Sequence, residues 1–288
     1  MSPKTIGLIA HTGKPGAAEL VRQLQAEFAG AGVKVLVETA TAALLGAKSG
    51  HTIAQLGAEA DLLVVLGGDG SILNVLSSLQ EVIKPIFGIN IGSLGFLTCL
   101  NSSAYHEAVS SIVSGKFALS ERVLLSVEII KAGERRHAMV ALNDAVITRG
   151  EISRLIRLRT RVNGEPLTEF NADGLVVATP TGSTAYSLSA GGPILEPQSG
   201  VFVITPICPH VLTNRSVIVG DRSIIEVEAS EPDYAVYLTV DGRSPVLLEF
   251  GATVTIRRAE KVLPLAVLPQ LSFFGVVRQK LKWSGSSI

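Results

Sequence analysis

Residues 62–73 read LLVVLGGDGSIL: a run of apolar strand formers, then Gly67, Gly68 and Gly70 around a single carboxylate, Asp69, then the opening of a helical pattern. A short apolar run that ends in turn residues predicts a buried strand. Glycine lets the backbone turn sharply and lets another group approach it closely, at a conformational cost that ordinary loops avoid. In open α/β sheets ligands bind beyond the carboxyl ends of the strands. A glycine turn feeding a helix N-terminus presents backbone N–H groups suited to phosphate. The plainer reading is a tight turn whose aspartate caps the helix.

The residues around this stretch set its context. KTIGLIA (4–10) and VKVLVE (33–38) predict strands, AAELVRQLQAEFAG (17–30) a helix with Leu20, Leu24 and Phe28 on one stripe, and KPIFGINIG (84–92) a fourth strand. Strands alternating with helices predict a parallel sheet covered on both faces. After a helical segment at 101–117 the texture changes to short strand-like runs between turn residues, among them VLLSVEII (123–130), HAMVALNDAVIT (137–148) and GVFVITPI (200–207). VDGR (240–243) carries the Asp-Gly signature of a tight hairpin. The expectation is an α/β domain over 1–100, a β-rich, sandwich-like domain over 101–270, and a final helix over 271–285 that docks back on the first domain.

Composition excludes several classes. With 47% apolar and 17% charged residues the chain folds, and 25 basic residues against 25 acidic ones leave no electrostatic footprint for nucleic acid. No run approaches the roughly 18 apolar residues of a membrane span, and the apolar stretch Ile6–Ala10 is too short for a signal segment. Cys99 and Cys208 form no CxxC pair, and the expected location is the cytoplasm, with reduced thiols. The five histidines, His11, His51, His106, His137 and His210, never fall at zinc spacing, so no protein metal site is expected. Arg157, Arg159 and Arg161 share one strand face, which is either solvated or packed on a neighbouring subunit, with phosphate binding as the alternative. Lys14, in HTGKPG (11–16), could meet a donor phosphate, although the spacing is not that of a P-loop.

A second motif is more specific. NADGLVVATPTGSTAYSLSAGGPI (171–194) follows a strand with a loop rich in hydroxyls and small residues and ends in a glycine pair. It contains no trio of acid, base and nucleophile. Its chemistry suits hydrogen bonding to ribose, phosphate or an amide.

The GGDG turn, INIGSLGFL (89–97), LNDAVITR (142–149), the long TPTGSTAY stretch, TPICPH (205–210) and SFFGVVRQKL (272–281) together resemble the NAD kinase family, in the family's order and over nearly the whole chain. GGDG alone also occurs in lipid kinases, whose reading is the rival, as is an idle dinucleotide-binding regulator. The resemblance implies that Asp69 acts as the general base on the adenosine ribose 2′-hydroxyl of NAD while ATP or polyphosphate donates the phosphoryl group. Gly68 and Gly70 admit the phosphates. Asn143 and Asp144 hold the adenosine part, with Asp144 one methylene shorter than the family's Glu. Asp173 fixes the nicotinamide end, Thr181, Thr184, Ala185, Tyr186 and Ser189 line the nucleoside pockets, and Phe96 lies near the adenine. Asn171 stands where members differ in their acceptance of NADH. Phosphoryl transfer further implies Mg²⁺ or another divalent cation carried with the donor, and the family implies a homo-oligomer, a dimer or tetramer.

Overall fold

The computed structural model describes residues 2–79, 82–92, 95–150, 155–211, 213–230 and 235–283. The chain packs as two compact units, Met1–Glu121 with Leu263–Ile288, and Arg122–Val262.

In the first unit β1 (Thr5–Ala10), α1 (Ala17–Gly30), β2 (Lys34–Val37), α2 (Thr39–Leu44), α3 (Ile53–Glu59), β3 (Leu62–Gly67), α4 (Asp69–Ser78) and β4 (Ile86–Asn90) follow one another. β2, β1, β3 and β4 lie side by side, all parallel. Every residue of β3 and β4 is buried, as a sheet covered on both faces requires. On one face Ile6, Leu8, Leu62, Val64 and Leu66 meet Leu20, Val21, Leu24 and Phe28 of α1.

The short β5 (Leu100–Asn101) pairs with β4, and α5 (Tyr105–Ser114) inserts Ala108, Val109 and Ile112 into the same core. The first unit therefore extends past residue 100, the boundary expected from the sequence, to Glu121. Alternation in 101–117 is helical, and its apolar face completes the α/β core rather than opening a new one.

The second unit is antiparallel. It contains β6 (Ala118–Lys131, from Arg122 onward), β7 (Glu134–Ala141), β8 (Asp144–Arg149), β9 (Ile156–Val162), β10 (Glu165–Ala172), β11 (Gly174–Ala178), a 3-10 turn (Thr181–Thr184), α6 (Tyr186–Ser189), β12 (Val201–Ile207), β13 (Val217–Gly220), β14 (Ile225–Ala229), β15 (Val236–Val240), β16 (Val246–Leu248) and the start of β17 (Thr253–Val267). β17 runs on into the first unit, followed by α7 (Phe273–Leu281); the end of the helix read over 271–285 lies outside the described residues.

One sheet of the second unit has the order β13-β12-β11-β8-β15-β16. Its inward residues, including Ala145, Ile147, Leu175, Val177, Phe202 and Ile204, share a core with Leu125, Val127, Leu158, Phe170, Val227 and Val254 from the other strands. Period-2 alternation places these side chains on one face. The outward residues Val146, Val176, Ala178 and Val203 are also covered, by Leu195 and Ile207, so β11 is buried on both sides. On β9 the exposed Arg157, Arg159 and Arg161 alternate with buried residues, and Arg159 lies 3.5 Å from Glu169 and 3.8 Å from Glu228.

The VDGR turn closes tightly: Asp241 and Gly242 both take positive φ, 49° and 67°, and the Arg243 N–H donates to the Val240 carbonyl at 3.1 Å. Leu238 of β15 pairs with Val246, while Thr239 and Val240 continue along β8 opposite Val146 and Ala145. Pairing with β8 places Asp241, in this turn, at the start of β8, where its N–H donates to the Asp144 carbonyl at 3.0 Å.

Candidate active site

In the first unit, β1 and β3 end together: the His11 N–H donates to the Leu66 carbonyl at 2.8 Å. Beyond these carboxyl ends lies a cavity of about 550 Å³, lined by His11, Thr12, Lys14, Gly68, Gly70 and Asn74 among others. A Cβ built on Gly68 or Gly70 would meet nothing within 4 Å. Among the described residues, packing does not demand glycine at either position.

Asp69 opens α4 but does not cap it: Gly68 is the N-cap and no side chain caps the helix. The Asp69 carboxylate instead accepts the backbone N–H of Phe96 at Oδ2 (2.9 Å) and of Leu97 at Oδ1 (3.0 Å). A Cβ on Gly95 would lie 1.9 Å from Oδ1, so the turn reaches the carboxylate only because residue 95 has no side chain. The Thr98 hydroxyl accepts the Gly95 N–H at 3.0 Å and fixes the same turn. Phe96 is thereby placed against Asp69 through its backbone, with its residue half-buried. Ser93 and Leu94 of the 89–97 motif lie outside the described residues.

In the second unit the predicted residues of the 179–186 loop gather around Asn143 and Asp144, whereas Asp173 lies at the other end of β8, beside Arg149. The Asn143 carbonyl accepts the Thr179 N–H at 2.9 Å, and the Thr179 hydroxyl donates to the Leu142 carbonyl at 2.5 Å. A Cβ on Gly182 would fall 2.1 Å from the Asn143 oxygen, so glycine is what lets the TPTG turn close on the pair. Asp144 is 5% exposed, with the Tyr186 backbone N–H bonded to its carboxylate. Burial pushes the Asp144 carboxyl up to about 7, and the neighbouring Asp241 charge adds to this. Burial also raises Asp241, against the backbone N–H groups of Leu142, Asn143 and Asp144 that it accepts.

The loop hydroxyls divide in two. Ser183 bonds the Pro180 carbonyl and the Leu195 N–H, and Ser187 bonds Thr205, so these serve the fold. Thr181 is 6% exposed and its Oγ1 has no partner, a cost of roughly 1–3 kcal/mol unless a ligand meets it. Thr184 and Ala185 are half-buried, and Tyr186 and Ser189 are exposed. Asp173 takes the Arg149 Nε–H at 2.7 Å, and the Asn171 carbonyl accepts the His210 N–H at 2.9 Å. Sequence reasoning gave no role to Arg149, Gly95 or Asp241. Arg149 stood inside a motif without a visible partner, and Asp241 was read as turn chemistry.

An α/β unit with a glycine turn beyond its strands, joined in one chain to an antiparallel β unit, is the fold class of the NAD kinases. The structure superposes on yeast NADH kinase, solved in complex with NADH, with a TM-score of 0.89 over 100% of this chain and 90% of that one, at 26% identity. The fold also matches an NAD kinase from Archaeoglobus fulgidus, solved with ATP, with a TM-score of 0.77 over 98% of this chain and all of that one, at 24% identity. Residues 6–117 match the ATP-NAD kinase N-terminal domain and residues 142–267 the ATP-NAD kinase C-terminal domain. The NAD kinase of Syntrophotalea carbinolica is 40% identical over 97% of this chain and 99% of its own length. That of Solibacter usitatus is 39% identical over 97% and 98%. The chain belongs to the NAD kinase family. This membership sets aside the lipid-kinase reading of the glycine turn.

Proposed function

We propose that this enzyme transfers the terminal phosphoryl group of ATP, or of polyphosphate, to the 2′-hydroxyl of the adenosine ribose of NAD and releases NADP. The carrying observation is Asp69: a carboxylate oriented by two backbone N–H groups and flanked in sequence by Gly68 and Gly70, which line the cavity. Each carboxylate oxygen keeps a second lone pair for the proton of the attacking hydroxyl, the general-base role. Gly68 and Gly70 give phosphate oxygens access to backbone N–H groups, with Lys14 on the cavity wall to offset their charge. Asn143, Thr181 with its unpartnered hydroxyl, and the outward residues Thr184, Tyr186 and Ser189 hold the nucleoside, and Asp173 the nicotinamide end.

Mg²⁺ belongs to this reading as an ion that arrives with the donor and offsets charge on the transferring phosphates. Among the described residues no three His, Cys, Asp or Glu side chains come together to cage a metal. In this reading its ligands are phosphate oxygens and water. Among the described residues no helix is long and apolar enough to cross a membrane. A cytoplasmic location belongs to the same reading, with Cys99 and Cys208 as reduced thiols.

The test is production of NADP from NAD, ATP and Mg²⁺, read by an NADP-specific dehydrogenase, with Asp69→Asn alongside. Wild type makes NADP. The variant loses roughly 10²–10⁴-fold in kcat while NAD binding at equilibrium stays intact. No NADP with ATP, other nucleoside triphosphates or polyphosphate overturns the activity, and near-normal kcat in Asp69→Asn removes Asp69 as the base.

A further inference from the structure

We propose that Asp241, 97 to 99 residues along the chain from the groups it holds, is the positioning residue that sets Asn143 for adenosine recognition. The inference rests on the proposed NAD-binding role of Asn143.

The geometry is that of three consecutive backbone donors converging on one carboxylate. Asp241 Oδ2 accepts the Leu142 N–H at 2.8 Å, and Oδ1 accepts those of Asn143 at 2.8 Å and Asp144 at 3.1 Å. The Asp241 N–H donates back to the Asp144 carbonyl at 3.0 Å, which closes the connection. Charge-assisted bonds of this kind are stronger than neutral ones, and a carboxylate that accepts three of them is held in one orientation.

Asp241 is itself fixed. Its φ of 49° lies in the left-handed region, which aspartate and asparagine tolerate better than other side chains. Arg243 Nε donates to the Val240 carbonyl at 3.1 Å and its terminal nitrogen to the Val140 carbonyl at 2.5 Å, which ties the turn to the end of β7. On the other side of the pair, the Thr179 N–H occupies the Asn143 carbonyl. Both backbone polar groups of Asn143 are therefore engaged within the chain. Its half-buried side-chain amide is the group left to meet a ligand, and an Asn amide matches the donor and acceptor on the adenine edge.

Asp241→Asn tests this, because it keeps the left-handed turn but replaces one carboxylate oxygen by an NH₂ group that cannot accept a backbone N–H. Asp241→Gly, which relaxes the turn and removes the carboxylate, is measured with it. NAD is compared with its hypoxanthine analogue, which lacks the adenine amino group. The expected result is a KM for NAD raised about tenfold, equivalent to about 1.4 kcal/mol, an unchanged KM for ATP, and a preference for NAD over the analogue that falls towards one. A lower kcat with both KM values and the preference intact overturns the proposal, since that is loss of active protein only. Failure of both variants to melt cooperatively also overturns it, by making Asp241 a folding determinant. Should wild type make no NADP, the activity fails separately, and calorimetric NAD binding to wild type and Asp241→Asn still decides the inference.

Discussion

At the residue scale three aspartates differ in their surroundings. Asp69 is half-buried and oriented by a backbone turn, Asp144 is buried against a helix start, and Asp241 is surrounded by amides. Asp144 carries a consequence for stability. In the folded chain its carboxyl keeps a proton up to about pH 7, against an ordinary value of 3.8. Between those values the folded state binds more protons than the unfolded one, so stability falls as pH rises across that window and levels off above it. Asp144→Asn has no proton to lose and makes this decline shallower, with Asp241 leaving a residual slope. Urea midpoints at pH 5 and pH 8 measure it: an equal decline in wild type and Asp144→Asn would show that Asp144 does not titrate in this range.

At the element scale, α4 and the 179–195 segment show how glycines of different purpose are told apart. Gly95 and Gly182 are required by close approach to Asp69 and Asn143, whereas Gly70 sits in the first turn of α4 with open space where its Cβ would be. Alanine in a helix is favoured over glycine by roughly 0.5–1 kcal/mol. Gly70→Ala is therefore expected to raise the denaturation midpoint while raising the KM for the phosphate donor about tenfold, or 1.4 kcal/mol. A more stable variant with wild-type donor KM would mean that the donor does not enter this cavity. Much at this scale was legible in sequence. The strand ending at Gly67 and the helix after it follow from apolar run and turn residues, and the loop after β11 from its hydroxyls. The turn at 240–243 was legible because Asp-Gly specifies it locally, while the pairing of Val240 with Ala145 depends on a strand far away in the chain.

At the scale of the whole molecule the two units follow different patterns, parallel with helices and antiparallel with turns, and this difference was visible in the texture of the sequence. The second unit leaves Leu247 53% and Phe250 55% exposed. Large exposed apolar groups of this kind favour burial against another surface. A homo-oligomer is expected, with a light-scattering mass that is a multiple of 30.2 kDa. A monomer mass under assay conditions with full activity would remove this expectation. The sequence by itself determined the class of each unit, the glycine turn and the hydroxyl loop, because hydrophobic period and backbone propensity act within short windows. Tertiary structure alone decided that Asp69 grips the 95–97 turn rather than its own helix, that Ser183 and Ser187 are spent inside while Thr181 is not, and that Asp241 holds Asn143. Each of these depends on strand register and on loops closing over long separations, where one carboxylate can choose among many donors and only the packed fold brings one set within reach.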